Sequence, residues 1–201
     1  MNTTNSAREH ERPILVTGGA GFVGATLVAQ LLAAGRRAIV YDNFFTGARP
    51  STTPGLTIVE GDVRDAQLLR ATLREHRPAG VVHLAALHYI PYCDAHPVDT
   101  IEVNVAGTQA LLEACRETLV GQLVFASSAA VYGVSAEPHG EDARVAPQDV
   151  YGLSKRFGEE QVAAFHRQTG KPCTVARFFN VFGRGETNPH VIPEILRQLR
   201  E

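Results

Sequence analysis

The stretch Thr17-Gly18-Gly19-Ala20-Gly21-Phe22-Val23-Gly24 constrains the fold of this chain more than any other. It follows an unbroken apolar run, Ile14-Leu15-Val16, and opens a second apolar stretch, 22–34, that Gly35 stops. The first run reads as a strand buried on both faces of a parallel sheet, the second as a helix closed by glycine. Glycines at 18, 21 and 24 give G-x-x-G-x-x-G, a variant of G-x-G-x-x-G. Such a turn brings the backbone close to a pyrophosphate, and the helix N-terminus offers free N–H groups to the anion. Three glycines alone are weak evidence. Their place after a buried strand, at the head of the domain, points to a dinucleotide rather than a purely structural turn.

The same alternation continues along the chain. Apolar runs at 38–41, 56–59, 81–85, 123–126 and 174–178 read as further buried strands, separated by helical patterns. In one of these, Ile101, Val105, Thr108, Leu112, Cys115 and Leu119 recur three or four residues apart and form one face. Strand and helix alternating about six times predict an α/β fold, a doubly wound parallel sheet of Rossmann type. The Pro-, Thr- and Gly-rich stretch 46–55 reads as a surface loop, and the polar residues 1–12 as a loose tail.

Composition removes several function classes. Nineteen Lys and Arg stand against 21 Asp and Glu, a net charge of -2, with no clustered basic face for nucleic acid. No apolar run approaches the roughly 20 residues that span a bilayer, and the polar start lacks the core of a secretory signal. Cys93, Cys115 and Cys173 are too scattered for a disulfide framework. A cytoplasmic protein with no metal site is expected.

Asp42 closes the second strand a little over 20 residues beyond the glycine turn, where a carboxylate accepts adenosine ribose hydroxyls and repels a 2′-phosphate. The bland alternative is a solvated strand end. Asn43 and two phenylalanines follow it, so NAD is favoured over NADP, a preference that Arg49 would weaken by folding back. Asp62-Val63 stands where it would border an adenine ring. Tyr151 and Lys155, at i and i+4, share one face of a helix beginning near Asp149. A free phenol is a poor base at neutral pH, and a nearby cation favours its ionised form. Such pairs arise by chance on helices. Ser128 gives this one context, because it ends the fifth strand at the carboxyl edge, where an open sheet meets its ligand.

These blocks together resemble the extended short-chain dehydrogenase/reductase family, also called the NAD-dependent epimerase/dehydratase family, most of all its nucleotide-sugar 4-epimerases. The likeness runs through TGGAGFVG at 17–24, YDN at 41–43, GDVRD at 61–65, HLAA at 83–86, NVAGT at 104–108, SSAAVYG at 127–133, YGLSK at 151–155 and RFFNVFG at 177–183. It implies Ser128, Tyr151 and Lys155 as catalytic residues. It implies NAD contacts at Gly18, Gly21, Phe22, Val23, Gly24, Asp42, Asn43, Asp62, Val63, Leu84, Ala85, Ala86, Tyr151, Lys155 and Phe178. For Asn104 it leaves two readings, a brace at the nicotinamide end or a packing cap between helix and sheet. Asn180, with Ser128 and Tyr151, would face the sugar nucleotide, and His88 borders that site with either a substrate or a structural role.

The implied chemistry is transient oxidation of a sugar hydroxyl to a ketone, with hydride returned to the opposite face. Family dehydratases usually carry an Asp-Glu pair after the catalytic Ser or Thr, and decarboxylating members a glutamate; Ala129 and Ala130 supply neither. The alternatives are a sugar-nucleotide dehydrogenase or reductase and a catalytically impaired NAD-binding module. On this reading residues 13–183 form the NAD-binding domain, and 184–201 begin a substrate-binding segment whose larger part is missing. Family dimers form through two helices, here those around 97–118 and 151–169, whose apolar faces would equally serve core packing.

Overall fold

A computed structural model describes residues 12–186 and 190–199. Six parallel strands, β1 (Ile14–Thr17), β2 (Ala38–Asp42), β3 (Leu56–Glu60), β4 (Gly80–His83), β5 (Gln122–Ser128) and β6 (Cys173–Phe178), form one sheet in the order β3-β2-β1-β4-β5-β6. The order reverses between β1 and β4, which opens a crevice at the carboxyl ends of these strands. The helices are α1 (Phe22–Ala33), α2 (Ala66–His76), α3 (Ile90–Ala95), α4 (Pro97–Ile101), α5 (Gly107–Arg116), α6 (Val150–Thr169) and α7 (Val191–Gln198).

Alternate strand residues fill two separate cores. Ile14, Val16, Ala38 and Val40 pack with Val28 of α1 on one side of the sheet. Leu15, Ile39, Val81, Leu123 and Phe125 pack on the other with Leu69 and Leu73 of α2, Leu112 and Cys115 of α5, and Val162 and Phe165 of α6. These faces of α5 and α6 turn to the sheet, while Leu153 and Phe157 of α6 stay exposed. Gly35 ends α1 in the left-handed region at φ 71°, and Asp149 caps α6 by accepting the Gly152 N–H at 2.7 Å. Among the described residues, no helix is long and apolar enough to cross a membrane.

Three expectations need correction. The helical face through 101–119 holds only in its middle, with Thr108, Leu112 and Cys115 buried but Ile101 and Leu119 exposed. A π-helical segment, Glu102–Ala106, joins α4 to α5 and changes the register, so Thr100 and Asn104 turn inward instead of Ile101. Leu119 lies beyond the end of α5. Strand β6 is not buried on both faces: it borders only β5, and Val175 and Phe178 are exposed. Arg12, taken as the end of a loose tail, is held by three carbonyls, those of Arg77, Pro78 and Leu119, at 2.7–2.9 Å. The rest of that tail lies outside the described residues.

Candidate active site

The crevice at the switch point is a cleft of about 1180 Å³. The glycine turn forms one end. Gly18 takes φ 69°, and a Cβ there would lie 2.6 Å from the Ala85 nitrogen. A Cβ on Gly24 would lie 2.2 Å from the Gly18 carbonyl oxygen, so any side chain would push helix α1 off the turn. Beside them, Asp42 is 9% exposed and its carboxylate accepts N–H groups from Ala20 (2.9 Å) and Phe44 (2.8 Å). One role of this aspartate is therefore to tie the glycine turn to the end of β2. Its remaining acceptor capacity faces the cleft. Arg49 does not fold back toward it: the guanidinium pairs with Glu60 and lies 5.1 Å over the Phe44 ring.

Asp62 forms the next part of the wall. Arg64 grips it through Nε and Nη2 at 2.9 and 2.8 Å, and Asn43 donates to it at 3.1 Å. Those bonds hold its carboxyl down at about 2 against the opposing effect of burial. Ser128, Tyr151 and Lys155 meet at the other end of the cleft. The end of β5 presents Ser128, whose Oγ accepts the Ala130 N–H at 3.1 Å and which lies with Tyr151 on the cleft wall. Lys155, 4% exposed, donates to the Ala126 carbonyl at 2.8 Å and stands 5.9 Å from the centre of the Tyr151 ring.

Electrostatics here depart from the sequence argument. Burial pushes the Tyr151 phenol up, and the Ser128 hydrogen bond offsets this only in part. Burial likewise pulls Lys155 down to about 8. Desolvation is the largest influence on the phenol, Cys93 and Asp149 add to it, and Lys155 is not among the groups that shift it.

All the anticipated site residues line the cleft except Asn104. Buried at the centre of the π-helical segment, Asn104 accepts from Leu87 N and donates to Leu87 O, each at 2.8 Å, and donates to Ser154 Oγ at 2.9 Å. Ser154 in turn donates to the Tyr151 carbonyl at 2.7 Å. Asn104 thus braces the wall after β4 against the helix that carries the tyrosine. Behind it, Thr108 donates to Asn104 O and His83 bridges Thr108 and Thr17; burial, helped by the Lys155 charge, pulls this imidazole down to about 3 and keeps it neutral. His88 lines the cleft with its ring 6.1 Å from that of His190, which pairs with Glu186. Asn180 lies at the exposed rim, while Asn188 and Pro189 of the anticipated substrate segment lie outside the described residues.

Sequence reasoning missed Glu159 and Arg177, a charged pair behind Ser127. The available signal was an arginine inside an otherwise apolar strand and a glutamate one helical turn beyond Lys155.

The family profile described as "NAD dependent epimerase/dehydratase family" matches residues 14–201. A UDP-glucose 4-epimerase of Azospirillum brasilense is 36% identical over 171 residues, covering 85% of this chain and 49% of that protein. The crystal structure of a Brucella ovis UDP-glucose 4-epimerase in complex with NAD superposes with a TM-score of 0.86 at 36% identity, covering 91% of this chain and 59% of that one. A Streptomyces venezuelae dTDP-glucose 4,6-dehydratase solved with NAD gives a TM-score of 0.87 at 32% identity, over 94% of this chain and 62% of that one. The chain spans about half to three-fifths of the length of such relatives. Since epimerase and dehydratase superpose equally well, the fold does not choose between their reactions.

Proposed function

Because the chain belongs to the NAD-dependent epimerase/dehydratase family, we propose that it carries out nucleotide-sugar 4-epimerisation with NAD held in the cleft. The observation that carries this reading is the convergence of Ser128, Tyr151 and Lys155 at one end of a cleft whose other end is the glycine turn and Asp42. The residues fit the dinucleotide. The turn has no room for a Cβ at Gly18 or Gly24, and its backbone at the start of α1 suits a pyrophosphate. Asp42 suits the adenosine ribose, and Arg49, the cation that would invite a 2′-phosphate, is engaged by Glu60. Residues 13–183 serve as the cofactor domain, and 184 onward open the substrate segment.

When bound, NAD supplies a hydride acceptor that returns the same hydride. Ser128 holds the reacting sugar hydroxyl, and Tyr151 takes its proton as the carbon–hydrogen bond breaks. Lys155 would favour the phenolate that burial opposes, helped by the positive charge that bound NAD would bring. After the keto-sugar turns over, Tyr151 gives the proton back to the oxygen. Ala129 and Ala130 carry no acid or base for eliminating water, which favours epimerisation over the dehydratase reaction. The likeness to UDP-glucose 4-epimerases, at 36% identity, makes UDP-glucose and UDP-galactose the first substrates to try.

The test is proton NMR of UDP-glucose and UDP-galactose incubated with the NAD-loaded chain. Interconversion without net cofactor reduction, and with NAD retained through gel filtration, is expected. Stoichiometric release of reduced cofactor would make the chain a dehydrogenase. Retained NAD with no sugar conversion would make it a binding module.

A further inference from the structure

Glu159 lies eight residues after Tyr151 and four after Lys155, so α6 carries all three near one face over about 12 Å of its length. Its carboxylate is buried, yet every strong partner is present. Ser127 donates to Oε1 at 2.6 Å, and Arg177 of β6 donates through Nε and Nη2 at 2.8 Å each. Burial works against the charged carboxylate, but these bonds hold it below its ordinary range. The remaining nitrogen of the fork reaches outward, with Arg177 Nη1 donating to Tyr132 Oη at 2.8 Å and to the Glu141 carbonyl at 3.0 Å. Two side chains therefore join α6, the last turn of β5, strand β6, the turn after Ser128 and the loop that leads back to α6.

Those segments are the ones that present the site. Ser127 precedes Ser128, Tyr132 follows it by four residues, and Phe178 and Asn180 continue from Arg177. An apolar pair would hold a helix to a sheet at least as firmly, because a buried ion pair gains little net stability. What the planar fork adds is direction: it fixes the sliding and rotation of α6 against the end of β5. We propose that the Glu159–Arg177 pair is a positioning element that sets the distance between Tyr151 and Ser128. The proposal rests on the reading of Tyr151 as the proton-transfer group.

Arg177→Lys keeps the charge and loses the fork, and Tyr132→Phe removes one hydrogen bond while leaving the pair intact. Each variant, loaded with NAD, is followed by thermal unfolding, by kcat and KM for UDP-glucose, and by NMR of tyrosine labelled with carbon-13 at Cζ, titrated with pH. In Arg177→Lys the Tyr151 titration is expected to move and kcat to fall about 10- to 100-fold, with KM and NAD affinity little changed. Tyr132→Phe is expected to give a smaller change in the same direction. A lower Tm with the Tyr151 titration and kcat of the wild type would overturn the proposal and leave the pair merely structural. Should Arg177→Lys not fold, an unmoved Tyr151 titration in Tyr132→Phe overturns it equally. A wild-type protein without turnover refutes the epimerase reading alone, since the titration still reports whether Tyr151 depends on the pair.

Discussion

Tyr151→Phe is expected to lower turnover by about 10²- to 10⁴-fold while NAD stays bound, the range contributed by a positioned proton-transfer group. The phenol shares the cleft wall with Ser128, and phenylalanine keeps its ring in place beside Lys155. Steady-state rates and bound-cofactor content, measured on one preparation, check this. The pH dependence adds a sign. With the phenolate as the proposed base, the rate is expected to rise with pH through the Tyr151 ionisation. Lys155→Met removes the neighbouring cation, which raises the phenol further and moves that rise to more alkaline pH. An unmoved profile would separate the lysine from the proton transfer.

The second large effect lies at the far end of the cleft. Gly24→Val is expected to cost about 10- to 100-fold in NAD affinity, because overpacking a tight contact costs about 1–3 kcal/mol and the anion-binding N–H groups of α1 move with the helix. Its first carbon would meet the Gly18 carbonyl at 2.2 Å, with the Gly19 backbone at 2.7 Å. Gly140→Ala is the matched control, since a Cβ there meets nothing within 4 Å. Calorimetric titration with NAD distinguishes them. Equal affinity in the Gly24 variant would remove the turn from cofactor binding.

Much of this site could be read from the sequence because its requirements are local. The glycine turn is demanded by a positive φ at Gly18 and by backbone contacts within six residues at Gly24. The start of α6 follows from Asp149, whose side chain caps a helix three residues away. Ser128 and Asp42 sit at strand ends, and a doubly wound sheet gathers strand ends into one crevice. What escaped depends on neighbours distant in the chain. The exposure of β6 follows from having one sheet partner instead of two, which periodicity does not encode. The inward turn of Asn104 depends on a π-helical segment that breaks the 3.6-residue register. The phenol's upward shift is hidden for the same reason: an i, i+4 ammonium is visible in sequence, whereas the burial that sets the direction is not.

The most direct test of the account is a single turnover, in which the NAD-loaded chain is mixed rapidly with UDP-glucose and absorbance in the band of reduced cofactor is recorded. A transient rise that decays as UDP-galactose appears is expected in the wild type and not in Tyr151→Phe. Conversion of the sugar with no such rise, or an equal rise in the variant, would contradict it.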